Sequence, residues 1–481
     1  MVEAPPSQLV ARLCSALDAE NVGYCHWKST TSLTRSATGD NDLDLLVSRS
    51  AAQPFTTVLY RLGFRRVDAS REQRLPGVLD FYGYDSDTEK FIHVHAHYQL
   101  VLGDDMTKNY RLPIEDSYLE SARQVGLFKV PAPEFEFVVL VVRLVFKHVT
   151  WDALLTRQGQ LPRSAKQELA DLQARSCPEA VQRVLQQALP GLAPALFGDC
   201  VKALQPGTSR RKRLEVGWRL QHSLRGFRRR SQVADIVLKG WRRGTRKVVR
   251  RVFGPPKKSF ASGGALIALV GGDGAGKSTT AYTLYRWLAK DFSTLRVHLG
   301  KPPWSLTTRL VRGGLKLVVA LEARFPLGGG WPASRSARVL RKVCASYDRY
   351  HAYLRARRAA TQGRLVICDR FPLPQLRSMD APQQISEEPV GPFVRALLRL
   401  ERRWYAAMSG PDVLVVLRVE PDVAVSRVRQ RSPSENLASA RVRSAEVWAC
   451  DWQTTHAYVV DASRPQDQVI SQIKTFVWSR L

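Results

Sequence analysis

Gly271, Gly276, Lys277 and Ser278 have the types and spacing to hold a phosphate. They lie in GGDGAGKST, residues 271–279, after the apolar run Ala265–Val270 and before a helix-compatible stretch. One glycine, four residues, then Gly-Lys-Ser is the phosphate-binding loop spacing. Glycines let the backbone curl so that its N–H groups point at phosphate oxygens. Lys277 can reach the β- and γ-phosphates, and the Ser278 hydroxyl can hold Mg²⁺. The following helix presents its positive N-terminus to the anion. Gly271, Gly272, Asp273, Gly274, Ala275, Gly276 and Thr279 complete a candidate site for a nucleoside triphosphate.

Elements that position this loop follow it in the chain. STLRVHLG, GRLVICDRF, GPDVLVVLRV and AYVVDAS are apolar runs separated by helical patterns. Such runs fit strands of a parallel sheet covered on both faces, whose ligand sits at the strands' carboxyl ends. Asp369-Arg370-Phe371 closes one run; its acid can organise Mg²⁺ and its guanidinium can meet an acceptor phosphate. Asp273 lies inside the loop, on the acceptor side. Arg427 and Arg431 are four apart, on one helical face, beside the SPSEN segment. Asp348 to His351, DRYH, is expected to begin a helix that runs into GRLVICDRF.

Together these residues resemble thymidylate kinase, within the nucleoside monophosphate kinases. The resemblance spans about 215 residues and covers DGxGKST, D-R-x-x-H, D-R-aromatic, a helical arginine pair and a final strand, in that order. It implies ATP and Mg²⁺ as cofactors, with Ser278 and Asp369 at the metal. It also implies Lys277, Asp369, Arg370, Arg427 and Arg431 as the catalytic set. Asp273, Lys301, Arg349 and Arg370 fall on its acceptor side. Where that family carries Arg-Glu-Pro-Gly-Gly, this chain reads His298-Leu299-Gly300-Lys301-Pro302-Pro303-Trp304, and a basic insert follows over 305–343. dTMP is therefore expected to be a poor acceptor.

Nearer the N-terminus, Asp42 and Asp44 alternate on a strand-like NDLDLLV, so both carboxylates face one side. With Lys28-Ser29 before them, they resemble the polymerase-β-like nucleotidyltransferase superfamily over roughly residues 1–110. The resemblance implies Asp42 and Asp44 as ligands of Mg²⁺ in phosphoryl transfer. The superfamily's third carboxylate belongs on a later strand. The candidate, FIHVHAHYQL, offers His93, His95 and His97 instead, with His93 the stand-in. These histidines can bind a metal, line a phosphate pocket with Lys28, or satisfy local hydrogen bonds on a half-buried strand. The expectation is a domain that binds a phosphorylated ligand with weak or no nucleotidyl transfer.

The whole chain has 481 residues and a formal charge of +30, which calls for an acidic partner. Eighteen Lys or Arg stand between Arg210 and Lys258 against Glu215 and Asp235, interleaved with Trp218, Phe227 and Trp241. That pattern fits a helix on an anionic membrane, a nucleic-acid contact or a solvated linker. Gly217, Gly226, Gly240 and Gly244 argue against one long helix. Seven scattered cysteines without a CxxC pair suggest free thiols in a reducing cytosol. No run reaches the ~20 apolar residues of a membrane span, and Phe135–Phe146 reads as a buried helix.

The expected fold is α/β throughout. Residues 1–205 form an α+β nucleotidyltransferase-like domain with a helical extension. Residues 206–262 form a basic amphipathic connector, and residues 263–481 a P-loop kinase domain with a parallel sheet. The expected function is transfer of the γ-phosphoryl of ATP to a nucleotide or sugar-like acceptor. The domain pairing resembles proteins associated with bacterial surface polysaccharide. Nucleotidyl transfer through Asp42 and Asp44, or a nucleotide-gated membrane scaffold, are the alternatives. Expected partners are a nucleotide or phosphorylated small molecule, an anionic membrane surface through residues 207–258, and a second copy of the chain, with nucleic acid the weaker alternative. The expected location is cytoplasmic, at the inner face of the membrane.

Overall fold

A computed structural model describes residues 5–28, 30–70, 73–150, 160–324, 335–379, 391–431 and 436–481. Ser29, residues 432–435 of the SPSEN segment and residues 325–334 of the basic insert lie outside them. The chain forms two compact units, Met1–Pro256 and Lys257–Leu481. The basic segment up to Pro256 thus falls with the first.

The first unit opens with helix α1 (Gln8–Ala19), whose Leu9, Leu13 and Leu17 are buried on one face. Its strands are β1 (Tyr24–His26), β2 (Leu43–Val47), β3 (Arg65–Asp68), β4 (Val78–Asp85) and β5 (Lys90–His97). They lie side by side in the order β1, β2, β5, β4, β3. β2 and β5 run parallel; the other pairs are antiparallel. Alternation fills one face with Leu43, Leu45, Ile92, Val94 and Ala96, packed against α1 and α2 (Ala52–Arg61). The opposite face is left to Asp44, Asp80, His93, His95 and His97. The β2–β5 register sets Asp44 beside His95.

A helical layer follows. α3 (Pro133–His148) carries the Phe135–Phe146 run, and Val138 to Val142 are buried within it. α4 (Arg163–Arg175), α5 (Pro178–Ala188), α6 (Pro194–Leu204) and α7 (Arg210–Ser223) complete its core through Leu172, Leu185, Phe197 and Leu220. The basic segment then forms α8 (Gln232–Phe253), which continues through Gly240 and Gly244. The glycine penalty, about 1 kcal/mol each, is offset by anchoring. Arg242 donates to Met106 O, and Arg243 meets Asp104 at 2.8 Å.

The second unit is a parallel sheet of β6 (Leu266–Gly271), β7 (Thr294–His298), β8 (Leu365–Asp369), β9 (Val413–Arg418) and β10 (Tyr458–Asp461). Their order is β7, β8, β6, β9, β10, with every pairing parallel. β6, β8 and β9 are buried almost throughout, as their unbroken apolar sequences require. Helices α9 (Lys277–Leu288), α10 (Leu306–Arg324), α11 (Arg335–Thr361), α12 (Pro392–Ala406), α13 (Pro421–Arg431), α14 (Leu437–Ala449) and α15 (Gln466–Arg480) connect and flank the strands. DRYH does not begin a helix. It lies well inside α11, which extends upstream because Val339 and Val343 pack on Val394 and Leu398 of α12.

Candidate active site

β6 ends at Gly271 and α9 begins at Lys277, so the five residues between them form the loop at a carboxyl edge of the sheet. Gly274 and Gly276 have φ of 84° and 82°, which L side chains rarely adopt. A Cβ on Gly274 would also stand 2.5 Å from Ala424 O. Gly276 caps α9 without a side-chain hydrogen bond. The helix's first N–H groups are therefore left to an anion, with the positive end of the helix behind them.

Side chains converge on this loop. Lys277, 6% exposed, donates to Gly272 O at 2.7 Å and lies 3.9 Å from Asp273. Burial, with Arg370 and Arg431 nearby, lowers its ammonium to about 8 against the pull of Asp273 and Asp369. Ser278 Oγ donates to Asp369 Oδ2 at 2.8 Å. The other Asp369 oxygen is buried with no hydrogen-bond partner among the described residues. A hydroxyl and a carboxylate oxygen without a proton donor form the oxygen-only donor set that Mg²⁺ prefers, so these two residues fit the ion.

Asp273 is clasped. Arg370 meets its Oδ1 at 3.1 Å and Arg443 its Oδ2 at 2.7 Å. Burial alone would raise this carboxyl; Lys277, Arg443 and Arg370 outweigh it and hold it below the usual range. Arg370 itself has a φ of 61°. A bulky residue in the left-handed region stores of order 1–3 kcal/mol, and such strain concentrates at functional sites.

Other expected residues are placed differently. Arg427 donates to Ala462 O at 2.8 Å, at the end of β10. Arg431 ends α13 and reaches Lys277 by charge. Arg349 is buried; it donates to Leu299 O at 2.8 Å, Gly300 O at 3.3 Å and the Tyr405 hydroxyl. Lys301 is exposed, and its amide donates to His298 at 3.1 Å. Sequence reasoning missed Arg443, whose contact with Asp273 spans 170 positions.

A family model described as thymidylate kinase matches residues 269–473. A thymidylate kinase of Xanthomonas euvesicatoria pv. vesicatoria is 30% identical over 231 residues, which are 46% of this chain and 85% of that protein. The chain belongs to the thymidylate kinase family. An uncharacterized ATP-binding protein of Escherichia coli (strain K12) is 27% identical over 245 residues, covering 46% of this chain and 89% of that protein. A thymidylate kinase of Xanthomonas campestris pv. campestris (strain B100) is 27% identical, covering 46% and 85%. The thymidylate kinase-like half is thus a nucleotide-binding, kinase-type domain.

Outside the thymidylate kinase half, the first unit brings its own charged residues together. His93 joins Asp42 at 2.9 Å through Nδ1 and Asp80 at 2.8 Å through Nε2. His95 joins Asp44 at 3.3 Å and Asp80 at 2.8 Å in the same manner. Lys28 lies 2.7 Å from Asp44. Asp80 of β4 thus adds a third acid to this face, and His95 rather than His93 stands beside Asp44 in register. Asp80 was legible only as an acid on an alternating strand, VLDFYGYD.

Burial opposes the charge of Asp44, yet Lys28, His95 and His97 hold its carboxyl well below the usual range. Burial also lowers His95, but Asp44 and Asp80 outweigh it and lift the ring to about 9. In His97, burial dominates and lowers the ring to about 4.

Proposed function

We propose that the C-terminal domain transfers the γ-phosphoryl group of ATP, with Mg²⁺, to an anionic nucleotide or sugar-like acceptor other than dTMP. The observation that carries this reading is the clasp of Arg370 and Arg443 on Asp273, beside Lys277. It holds two guanidinium groups and an ammonium on the acceptor side of the loop. In the transfer, an acceptor oxygen bonds to the γ-phosphorus while the bond to the bridging oxygen breaks and its electron pair leaves with ADP. A phosphate acceptor brings no proton, and a sugar hydroxyl gives up its proton to solvent. Lys277 and the loop amides stabilise charge on the β- and γ-phosphates, and Arg370 and Arg443 orient the anionic acceptor. Ser278 and Asp369 would hold Mg²⁺, which when bound would neutralise phosphate charge.

The acceptor side supports a substrate unlike dTMP. Arg349 binds the carbonyls of the segment that replaces Arg-Glu-Pro-Gly-Gly. A cleft of about 470 Å³ lies further along, lined by Trp304, Arg309, Arg312, Leu315, Lys316 and Arg341. Arg312 stacks on the Trp304 ring at 4.1 Å, and the four cations suit an extended anion. The domain pairing's resemblance to surface-polysaccharide proteins adds sugar phosphates to the candidates.

The test uses full-length protein, ATP labelled in parallel at the γ- or the α-phosphate, and a panel of nucleoside monophosphates, sugars and sugar phosphates. Label should pass to an acceptor other than dTMP and fail to do so in Lys277→Ala. ATP turnover with no labelled acceptor would favour a nucleotide-gated scaffold. Retention of an α-label in the product would favour nucleotidyl transfer by the first domain.

A further inference from the structure

The face of β2, β4 and β5 opposite α1 and α2 carries three acids and three imidazoles. Two overlapping triples, Asp42–His93–His95 and Asp44–His95–His97, have donor atoms within 4.8 Å of one another. Asp80 lies at the Nε2 atoms of both His93 and His95, 2.8 Å from each. That single carboxylate fixes both rings and turns their Nδ1 atoms toward the acids of β2. A carboxylate on the far nitrogen is the usual way to orient a metal-ligating histidine. The two rings stand edge to face with centroids 4.2 Å apart.

Two features separate the triples. Lys28 sits 2.7 Å from Asp44, so an ammonium already opposes that acid. The Asp42 side chain is 55% exposed, which gives an ion an entry path to the other triple. The second triple contains His97, buried with no hydrogen-bond partner at either ring nitrogen among the described residues and 3.6 Å from Asp44. This nitrogen-rich interior is not the all-oxygen setting in which Mg²⁺ is held.

We propose that Asp42, His93 and His95 bind one divalent transition-metal ion, with Zn²⁺ the test ion, and that Asp80 positions the two imidazoles. Two imidazoles and a carboxylate suit Zn²⁺ and its first-row neighbours over Mg²⁺. His95 belongs to both triples, so one ion is bound per chain. The three protein ligands leave at least one coordination position for water or a ligand oxygen.

The experiment dialyses the full-length chain against Zn²⁺ with and without a large excess of Mg²⁺, then measures bound metal by mass spectrometry. Zinc should be retained against Mg²⁺ and lost in Asp42→Asn, His93→Gln and His95→Gln. Asp80→Asn should weaken binding by about 10- to 100-fold, and His97→Gln should retain the ion. His95→Gln keeps all seven cysteines and the other eight histidines, so zinc surviving in it would be held elsewhere and overturn the proposal. Displacement by Mg²⁺, or loss in His97→Gln, would overturn it equally. Co²⁺ loading of the unsubstituted chain gives a readout independent of variant folding. Ligand-field bands without thiolate-to-metal charge transfer are expected, and a thiolate band would exclude this site.

Discussion

Lys277 shows how one residue joins fold and chemistry. Its ammonium is buried, held by a loop carbonyl, and lowered to about 8. Lys277→Ala should cut phosphoryl transfer by about 10²- to 10³-fold, the usual effect of losing one preorganised donor, with far-ultraviolet circular dichroism unchanged. The lowered value also sets a sign. Phosphate oxygens favour the charged amine and lift its pKa back toward 10.5. Between about pH 8 and pH 10, ATP binding should therefore take up protons; near pH 6.5 the amine is already charged and uptake should vanish. Calorimetry in buffers of different ionisation enthalpy reads this directly, and an uptake flat across that range would contradict it. Arg443 holds Asp273 at 2.7 Å; if it orients the acceptor as proposed, Arg443→Gln should raise the acceptor KM more than the ATP KM in initial-rate kinetics. The glycines and Lys277 were plain in the sequence because the loop's chemistry is local. Arg443 and Asp80 were not, because each acts through a partner that only tertiary folding brings near.

At the scale of elements, α3 carries a buried acid. Glu136 is 4% exposed, and Thr30 Oγ1 lies within 2.9 Å of both its oxygens. Burial raises its carboxyl from 4.5 to about 7, with Thr30 only partly opposing. The fold thus favours the protonated form. The stability it contributes is full below the ordinary glutamate value and is lost as pH rises through about 7. Ionising it in place costs roughly 3 kcal/mol, since the rise from 4.5 to about 7 counts about 1.36 kcal/mol for each step of one in pKa. Glu136→Gln keeps an acceptor for Thr30 and removes the charge. It should raise the urea midpoint at pH 8 and leave it nearly unchanged at pH 5. Equal effects at both values would contradict the burial argument. Elements themselves were largely legible. The apolar run that became α3 and the five strands of the second unit follow from local periodicity. Two features were not. α11 begins upstream of DRYH because its contacts with α12 hold the extra turns, and α8 crosses two glycines because arginines tie it to Asp104 and Met106.

The whole chain's charge is +30, and the basic segment carries part of it. No helix among the described residues is long and apolar enough to cross a membrane. α8 instead displays Val233, Val237, Trp241, Val248 and Val252, each 60% to 73% exposed. Their four- and seven-residue spacing places them on one face. Arg242 and Arg243 turn the other way to bind Met106 and Asp104, while Lys247, Arg250 and Arg251 stay exposed. An apolar stripe flanked by exposed cations has the composition expected of a helix in an anionic bilayer interface. Each Lys or Arg near such a surface contributes about 1 kcal/mol. Screening over about 8 Å at physiological salt should make the binding fall as salt rises. The full chain should therefore sediment with vesicles containing anionic lipid. Val237→Glu should remove the component that survives high salt, because it places a charge in the apolar stripe while leaving the Asp104 anchor intact. Nucleic acid would show the same salt dependence but no such apolar component. The two are separated by competing vesicles against duplex and single-stranded DNA and RNA. Preference for nucleic acid, or undiminished vesicle binding by Val237→Glu at high salt, would show that this face meets something other than lipid.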